Sequence, residues 1–309
     1  MTATTSPLTR TITEHAQLMR GVALAAVGTA MFLVTLKAVA FILTDSMAMM
    51  ASLADSALDV FASFINLLAV RAALTPADHE HRFGHGKAEP LAGLAQSAFI
   101  AGSSAFLVIE SISRMIEPRP IEHSAIGLLV MAVSIAATVV LVTAQQVVVR
   151  RTGSIAIGAD RMHYLSDIVV NVGVVIGLLL ASNFHILIAD PIVGLVVAAI
   201  LALGVWRVFE QSYDQLMDRE LPDADRERIK QIIMQHPAVQ DLHDLRTRAA
   251  GVGAFIQVHI ELNPLLSLMA AHAVADEVEA SLNKVFPNAE VIIHQDPEGF
   301  EAIAGLAKS

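Results

Sequence analysis

The chain has 309 residues, of which 55% are hydrophobic and only 16% charged, and its mean hydropathy is +0.60. An ordinary soluble domain carries about 25% charged residues, so this composition argues for a membrane protein. The formal net charge of −10 argues against a nucleic-acid partner, and the lack of cysteine excludes disulfides and thiolate metal sites.

Six apolar spans are expected, at about 21–43, 47–74, 89–116, 123–149, 164–184 and 188–210, each near or above the roughly 20 residues that a helix needs to cross the hydrocarbon. The second is the weakest, because its acids and serines lower its hydropathy. The residues before the first span are polar, and that span is too long for a signal-peptide core, so it is expected to serve as an uncleaved first helix. Arg10 and Arg20 precede it, Arg71, Arg82 and Lys87 flank the second-to-third connection, and Arg150, Arg151 and Arg161 flank the fourth-to-fifth. By the positive-inside rule both termini are then cytoplasmic. Trp206 suits an anchor at the cytoplasmic interface.

Two phrases break the apolar character of these spans. MASLADSALDVFASF carries Asp55 and Asp59, and GADRMHYLSDIVVNVG carries His163 and Asp167. Each pair is spaced i, i+4, which sets both side chains on one face of a helix. Ionisable groups at membrane depth are costly and mark pathways or binding sites. Facing one another, the two helices would converge three carboxylates and one imidazole on a point, a set suited to a divalent cation. Met47, Met49 and Met50 are expected to pack, Asn66 and Asn171 to bond between helices or support the ligands, and Lys37 to snorkel or pair.

Between the second and third spans, PADHEHRFGHGKAEP brings Asp78, His81 and His85 close in sequence, with His79 in surplus and Gly84 and Gly86 permitting a tight turn. A closed metal site and a purely electrostatic role both fit this loop.

After Asp218 the pattern becomes that of a small α+β domain. LPDADRERIKQIIMQHP reads as an amphipathic helix, VQDLHDLRTRAAGVGAFIQVHIELN as two strands joined at Gly251 and Gly253, SLMAAHAVADEVEASLNKVF as a second helix and AEVIIHQDP as a last strand. The order α-β-β-α-β predicts a ferredoxin-like arrangement. Alternation places Ile256, Val258, Ile260 and Leu262 on one face and Gln257, His259 and Glu261 on the other; His294 and Asp296 share a face opposite Val291 and Ile293. With His243 and His272, this domain has ligands for one or two zinc-like sites. From Asp218 onward fifteen acids face eight Lys and Arg, so this segment supplies −7 of the net charge and attracts cations.

Taken together, the six spans, the D-x-x-x-D and H-x-x-x-D helices, the PADHEHRFGHGKAEPLA loop and the phrases HDLRTR, IQVHIEL and VIIHQDP resemble the cation diffusion facilitator family, nearest its bacterial zinc and iron(II) efflux subgroup. The likeness runs from about residue 20 to 298. It implies a transport site at Asp55, Asp59, His163 and Asp167, a loop site at Asp78, His81 and His85, and a cytoplasmic binuclear site at His243, His259, His272, His294 and Asp296, with Gln295 beside them. It also implies a homodimer with a charge interlock at the membrane surface, on Lys87 and Asp218.

The expected organisation is a cytoplasmic segment 1–20, a six-helix transmembrane domain 21–212, a cytoplasmic metal-binding and dimerisation domain 213–298 and a tail 299–309, in a bacterial inner membrane. The expected activity is export of Zn2+, or of Fe2+ or Cd2+, in exchange for protons, with the proton carried chiefly on His163. Mg2+ is disfavoured, since it keeps its waters and prefers six oxygens. A passive conductor or a membrane sensor would use the same ligands without proton coupling. An intramembrane hydrolase would need a general base as in H-E-x-x-H, which the sequence lacks.

Overall fold

The computed structural model describes residues 7–44, 47–116, 125–184, 189–251, 253–287 and 289–299. They form two compact units, one spanning Thr13–Tyr213 and the other holding the chain from Asp214 onward.

The first unit is built of long helices: α1 (Pro7–Thr44), α2 (Met47–Ala73), α3 (Ala88–Ile116), α4 (Ala125–Thr152), α5 (Ile155–Phe184) and α6 (Ala189–Leu216). Five of them contain a stretch long and apolar enough to cross a membrane, counting only the described residues: Glu14–Thr44, Ser52–Ala73, Ala88–Ile116, Leu129–Thr152 and Pro191–Leu216. Large apolar side chains such as Phe32, Leu58, Phe106, Val140 and Leu203 point outward from these helices. An outward apolar belt of this kind suits lipid rather than water. Helix α2, expected to be the weakest span, is one of the five.

Two helix starts differ from expectation. Helix α1 begins at Pro7 rather than near residue 21, so polar residues continue the helix beyond its apolar stretch, and a proline suits a first turn. Helix α5 begins at Ile155, ahead of the apolar span expected at about 164–184 and three residues before the helical phrase GADRMHYLSDIVVNVG. Ser154 supplies the cap: its Oγ accepts from the Ile157 N–H at 3.3 Å and donates to Glu89 Oε2 at 2.5 Å, while the same carboxylate oxygen accepts from the Ala156 N–H at 3.3 Å. A negative group at a helix N-terminus is favourable. Glu89 therefore ties the start of α3 to the start of α5, and the phrase GADRMHYLSDIVVNVG is helical along its whole length.

Small residues let α3 and α6 approach closely. A Cβ placed on Gly93 would lie 2.2 Å from Ser212 Oγ, and one on Gly194 would lie 2.3 Å from Ser111 Oγ. Membrane helices pack through such positions because no solvent drives them together.

The second unit contains α7 (Asp223–Met234), β1 (Val239–Ala250), β2 (Gly253–Leu262), α8 (Leu268–Val285) and β3 (Ala289–Pro297). The sheet order is β1-β2-β3, antiparallel between β1 and β2 and parallel between β2 and β3. Gly251, at φ 61°, makes the turn between the first two strands. Ile256, Val258, Ile260 and Leu262 are buried against Ile229 and Ile233 of α7 and Val278 and Leu282 of α8. Both helices cover one sheet face, and the alternation seen in the sequence leaves the histidines on the other.

Candidate metal centres

The i, i+4 pairs of α2 and α5 meet inside the helical unit. His163 Nε2 lies 3.1 Å from Asp59 Oδ1, and ligand atoms of Asp59, His163 and Asp167 all lie within 4.8 Å of one another. His163 is only 7% exposed. Asp55, one turn along α2 from Asp59, is exposed and stands outside this trio. A metal could thus meet one imidazole nitrogen and two carboxylates directly, with a third carboxylate one helical turn away.

Groups missed in the sequence surround the trio. Asp160 is fully buried; its Oδ2 accepts from Gln145 Nε2 at 2.7 Å and its Oδ1 from Gln96 Nε2 at 3.3 Å. Gln96 Nε2 also reaches the Ala62 carbonyl of α2 at 3.3 Å. One carboxylate therefore links α3, α4 and α5 one turn from His163. Tyr164, also buried, pairs with Ser63 at 2.6 Å and donates to the Ala26 carbonyl at 3.2 Å, which ties α5 to α2 and α1. The signal was present in the sequence: Asp160, His163 and Asp167 are spaced i, i+3, i+7 and share one helix face. Of the two asparagines, Asn171 donates to the Asp167 carbonyl of its own helix at 2.8 Å. Both polar atoms of the Asn66 side chain are buried with no bond among the described residues.

In the α2–α3 connection, Asp78, His81 and His85 form a second trio within 4.8 Å. Asp78 Oδ1 accepts from the N–H groups of His81 at 2.6 Å and Glu80 at 2.9 Å. These bonds hold its carboxyl below the usual carboxylate range, the His81 amide contributing most. Each imidazole comes to 3.4 Å from this carboxylate, and the two rings stand 4.6 Å apart. Gly84, at φ 77°, makes the turn that folds His85 back. His79 is exposed and outside the trio.

A third trio, His243, His259 and Asp296, lies on the open sheet face. Strand register produces it: His243 pairs with His259 across β1 and β2, His259 with His294 across β2 and β3, and Glu261 with Asp296. The imidazoles stand in a row with centroid separations of 5.1 and 4.5 Å. Asp296 Oδ2 lies 2.8 Å from His259 Nδ1 and 3.4 Å from His243 Nε2, and its other oxygen is 3.3 Å from His294 Nε2. Glu261, on the same sheet face, approaches His243 Nδ1 at 3.4 Å. His272 is not brought into this group; it is exposed on α8, 3.6 Å from Asp276 of the same helix. Gln295, opposite Ile260 in register, falls on the other face by strand alternation.

Of the two residues expected to interlock protomers, Lys87 immediately precedes α3. Asp218 follows α6 with a left-handed φ of 55° and accepts from Arg248 Nη1 at 3.1 Å.

Comparison with known proteins is extensive. Residues 23–217 match the family model described as the cation efflux transmembrane domain, and residues 221–298 match that of the cation efflux protein cytoplasmic domain. The chain is 43% identical over 284 residues to a cation-efflux pump FieF of Serratia proteamaculans, covering 92% of this chain and 94% of that one. It is 44% identical over 273 residues to one of Shewanella oneidensis, covering 88% and 92%. A third, from Yersinia enterocolitica, is 42% identical over 285 residues, covering 92% and 94%.

Proposed function

Because the chain belongs to the cation diffusion facilitator family, is of the cation-efflux-pump type and has a multi-pass helical membrane domain, we propose that it exports Zn2+ from the cytoplasm in exchange for protons. Fe2+ and Cd2+ share the route. The observation that carries this reading is the convergence of Asp59, His163 and Asp167 from two helices around the buried His163. Asp55 completes the set when α2 turns it inward, giving one nitrogen and three oxygen donors. That is a tetrahedral set for Zn2+, and it accepts Fe2+ and Cd2+.

Proton exchange follows from ligand chemistry. A metal binds deprotonated ligands, so any proton on His163 or a neighbouring carboxylate must leave as the cation arrives, and must return once the cation departs. Alternating exposure of such a site to the two sides couples the two flows. The ligands come from α2 and α5, separate helices whose relative shift opens and closes the site without breaking either helix.

In this account the protein spans the membrane six times, with α5 as the remaining span, and both termini lie in the cytoplasm of a bacterial cell whose inner membrane holds it. The organisation is a cytoplasmic N-terminal segment to residue 20, a transmembrane domain over 21–212, a ferredoxin-like cytoplasmic domain over 213–298 and a tail. The molecule works as a homodimer, joined through the cytoplasmic domain and through Lys87 and Asp218. Metal at His243, His259, His294 and Asp296 stiffens that domain. The loop trio of Asp78, His81 and His85 is a separate, exposed metal site.

Zinc flux into proteoliposomes under an imposed pH gradient tests the central step. Flux that follows the gradient, with protons moving the opposite way, is expected. Flux indifferent to the gradient would identify a passive conductor, and metal binding without flux would identify a sensor.

A further inference from the structure

Lys37 sits in the apolar body of α1, seven residues before its end at Thr44, or about 10 Å of helix. A lysine close to a helix end extends to the interface and keeps its ammonium in water. Lys37 instead turns onto α2, donating to Ser56 Oγ at 2.7 Å and to the Ser52 carbonyl at 3.3 Å. Ser56 is fully buried and follows Asp55 directly in the chain. The ammonium is close enough to act electrostatically on both Asp55 and Asp167. A fixed positive charge here would repel an arriving cation, and an intramembrane charge is retained only where it is paired or used.

We propose that Lys37 is a tethered countercharge of the transport site. The inference rests on the reading of Asp55, Asp59, His163 and Asp167 as that site. With His163 neutral, the three ligand carboxylates carry three negative charges, and the ammonium cancels one of them. Two remain, the charge of a single divalent cation, so ligands, lysine and metal together are neutral; Asp160, bonded to Gln96 and Gln145, lies outside this set and is common to its loaded and empty forms. The two bonds to α2 keep the ammonium beside the carboxylates without making it a ligand. Lys37 is a positioning residue: it sets the charge that the metal meets and touches no metal itself.

The test uses full-length K37M, K37Q and K37R in proteoliposomes, with zinc as the probe. Glutamine keeps a hydrogen-bond donor toward Ser56 and Ser52 but has no charge. K37M and K37Q are expected to bind zinc about tenfold more tightly, because a repulsive charge is gone, and to have a maximal flux about tenfold lower, because the loaded site is no longer neutral. KM and kcat therefore fall together, and K37R restores both. A merely structural lysine predicts weaker binding and slower flux in K37M, with recovery in K37Q; that outcome, or wild-type values in K37Q, would overturn the proposal. Failure of the underlying reading looks different, since D167A with Lys37 intact would then bind and carry zinc as well as the wild-type protein does.

Discussion

The intramembrane and cytoplasmic trios use the same chemistry in opposite settings. Asp59, His163 and Asp167 hang from two helices at membrane depth, with His163 almost wholly buried, whereas His243, His259 and Asp296 lie partly exposed on a sheet whose strands are bonded to one another. Helices that touch through side chains can shift relative to one another, and a site shared between them can be made and unmade. A site fixed by strand register has no such freedom, because a slip of one residue would turn every side chain to the other face. In the proposed account, ligand type selects the metal while the scaffold decides whether the metal is moved or kept.

The strongest way to break this comparison is to remove the imidazole from the helical trio. His163→Ala is expected to abolish zinc binding at that site and the pH dependence of flux; flux with an unchanged pH profile would mean that the proton rides elsewhere. A smaller effect is expected at Asp160, which anchors α5 to α3 and α4 without reaching the trio. Asp160→Asn should weaken zinc binding by about 10- to 100-fold, as loss of supporting groups around a metal site commonly does. Isothermal titration of the full-length protein would measure it, and an unchanged affinity would show that the anchor does not aim His163.

The rigid half of the comparison is tested through its core. Ile260 is buried beneath the imidazole row, between strand partners Leu242 and Gln295. Ile260→Ala should destabilise the cytoplasmic unit by about 2–5 kcal/mol. Hydrogen exchange of the sheet amides should speed accordingly, while amides of α2 and α5 keep their rates. If the helices loosened equally, the two units would be energetically one.

The smallest effect belongs to the exposed loop. Asp78 has a lowered pKa, because the His81 and Glu80 amides favour its carboxylate form. A depressed carboxyl contributes to loop order above its unfolded pKa and loses that contribution only as pH falls through the lower folded value. Between pH 5 and 8 Asp78 therefore stays ionised, and any titration of loop metal binding in that window belongs to imidazole. Asp78→Asn should weaken loop metal binding but leave this pH profile and zinc flux nearly unchanged, as pH-dependent spectroscopy of bound cobalt would show.

Much of this organisation is legible in the residues themselves. Period-2 alternation in IQVHIEL placed His259 and Ile260 on opposite faces, and i, i+4 spacing put His163 and Asp167 on one face. Both rules are local and need no knowledge of partners. The start of α5 was not legible, because its cap is shared: Ser154 supplies the local bond, but the carboxylate completing it comes from Glu89, far away in the chain. Asp160 was passed over for a related reason, since its two glutamine partners lie on other helices and only packing brings them together. Asp55 and His272 show the converse, where residues with the right chemistry and spacing stand outside the trios because helix rotation or exposure turns them away.

The most direct measurement compares Asp167→Ala and Asp296→Ala in one assay of zinc flux into proteoliposomes driven by a pH gradient. If the helical trio moves metal and the sheet trio keeps it, Asp167→Ala carries no gradient-driven zinc, while Asp296→Ala retains flux lowered by a few-fold at most. Loss of flux in Asp296→Ala with flux preserved in Asp167→Ala would contradict the account.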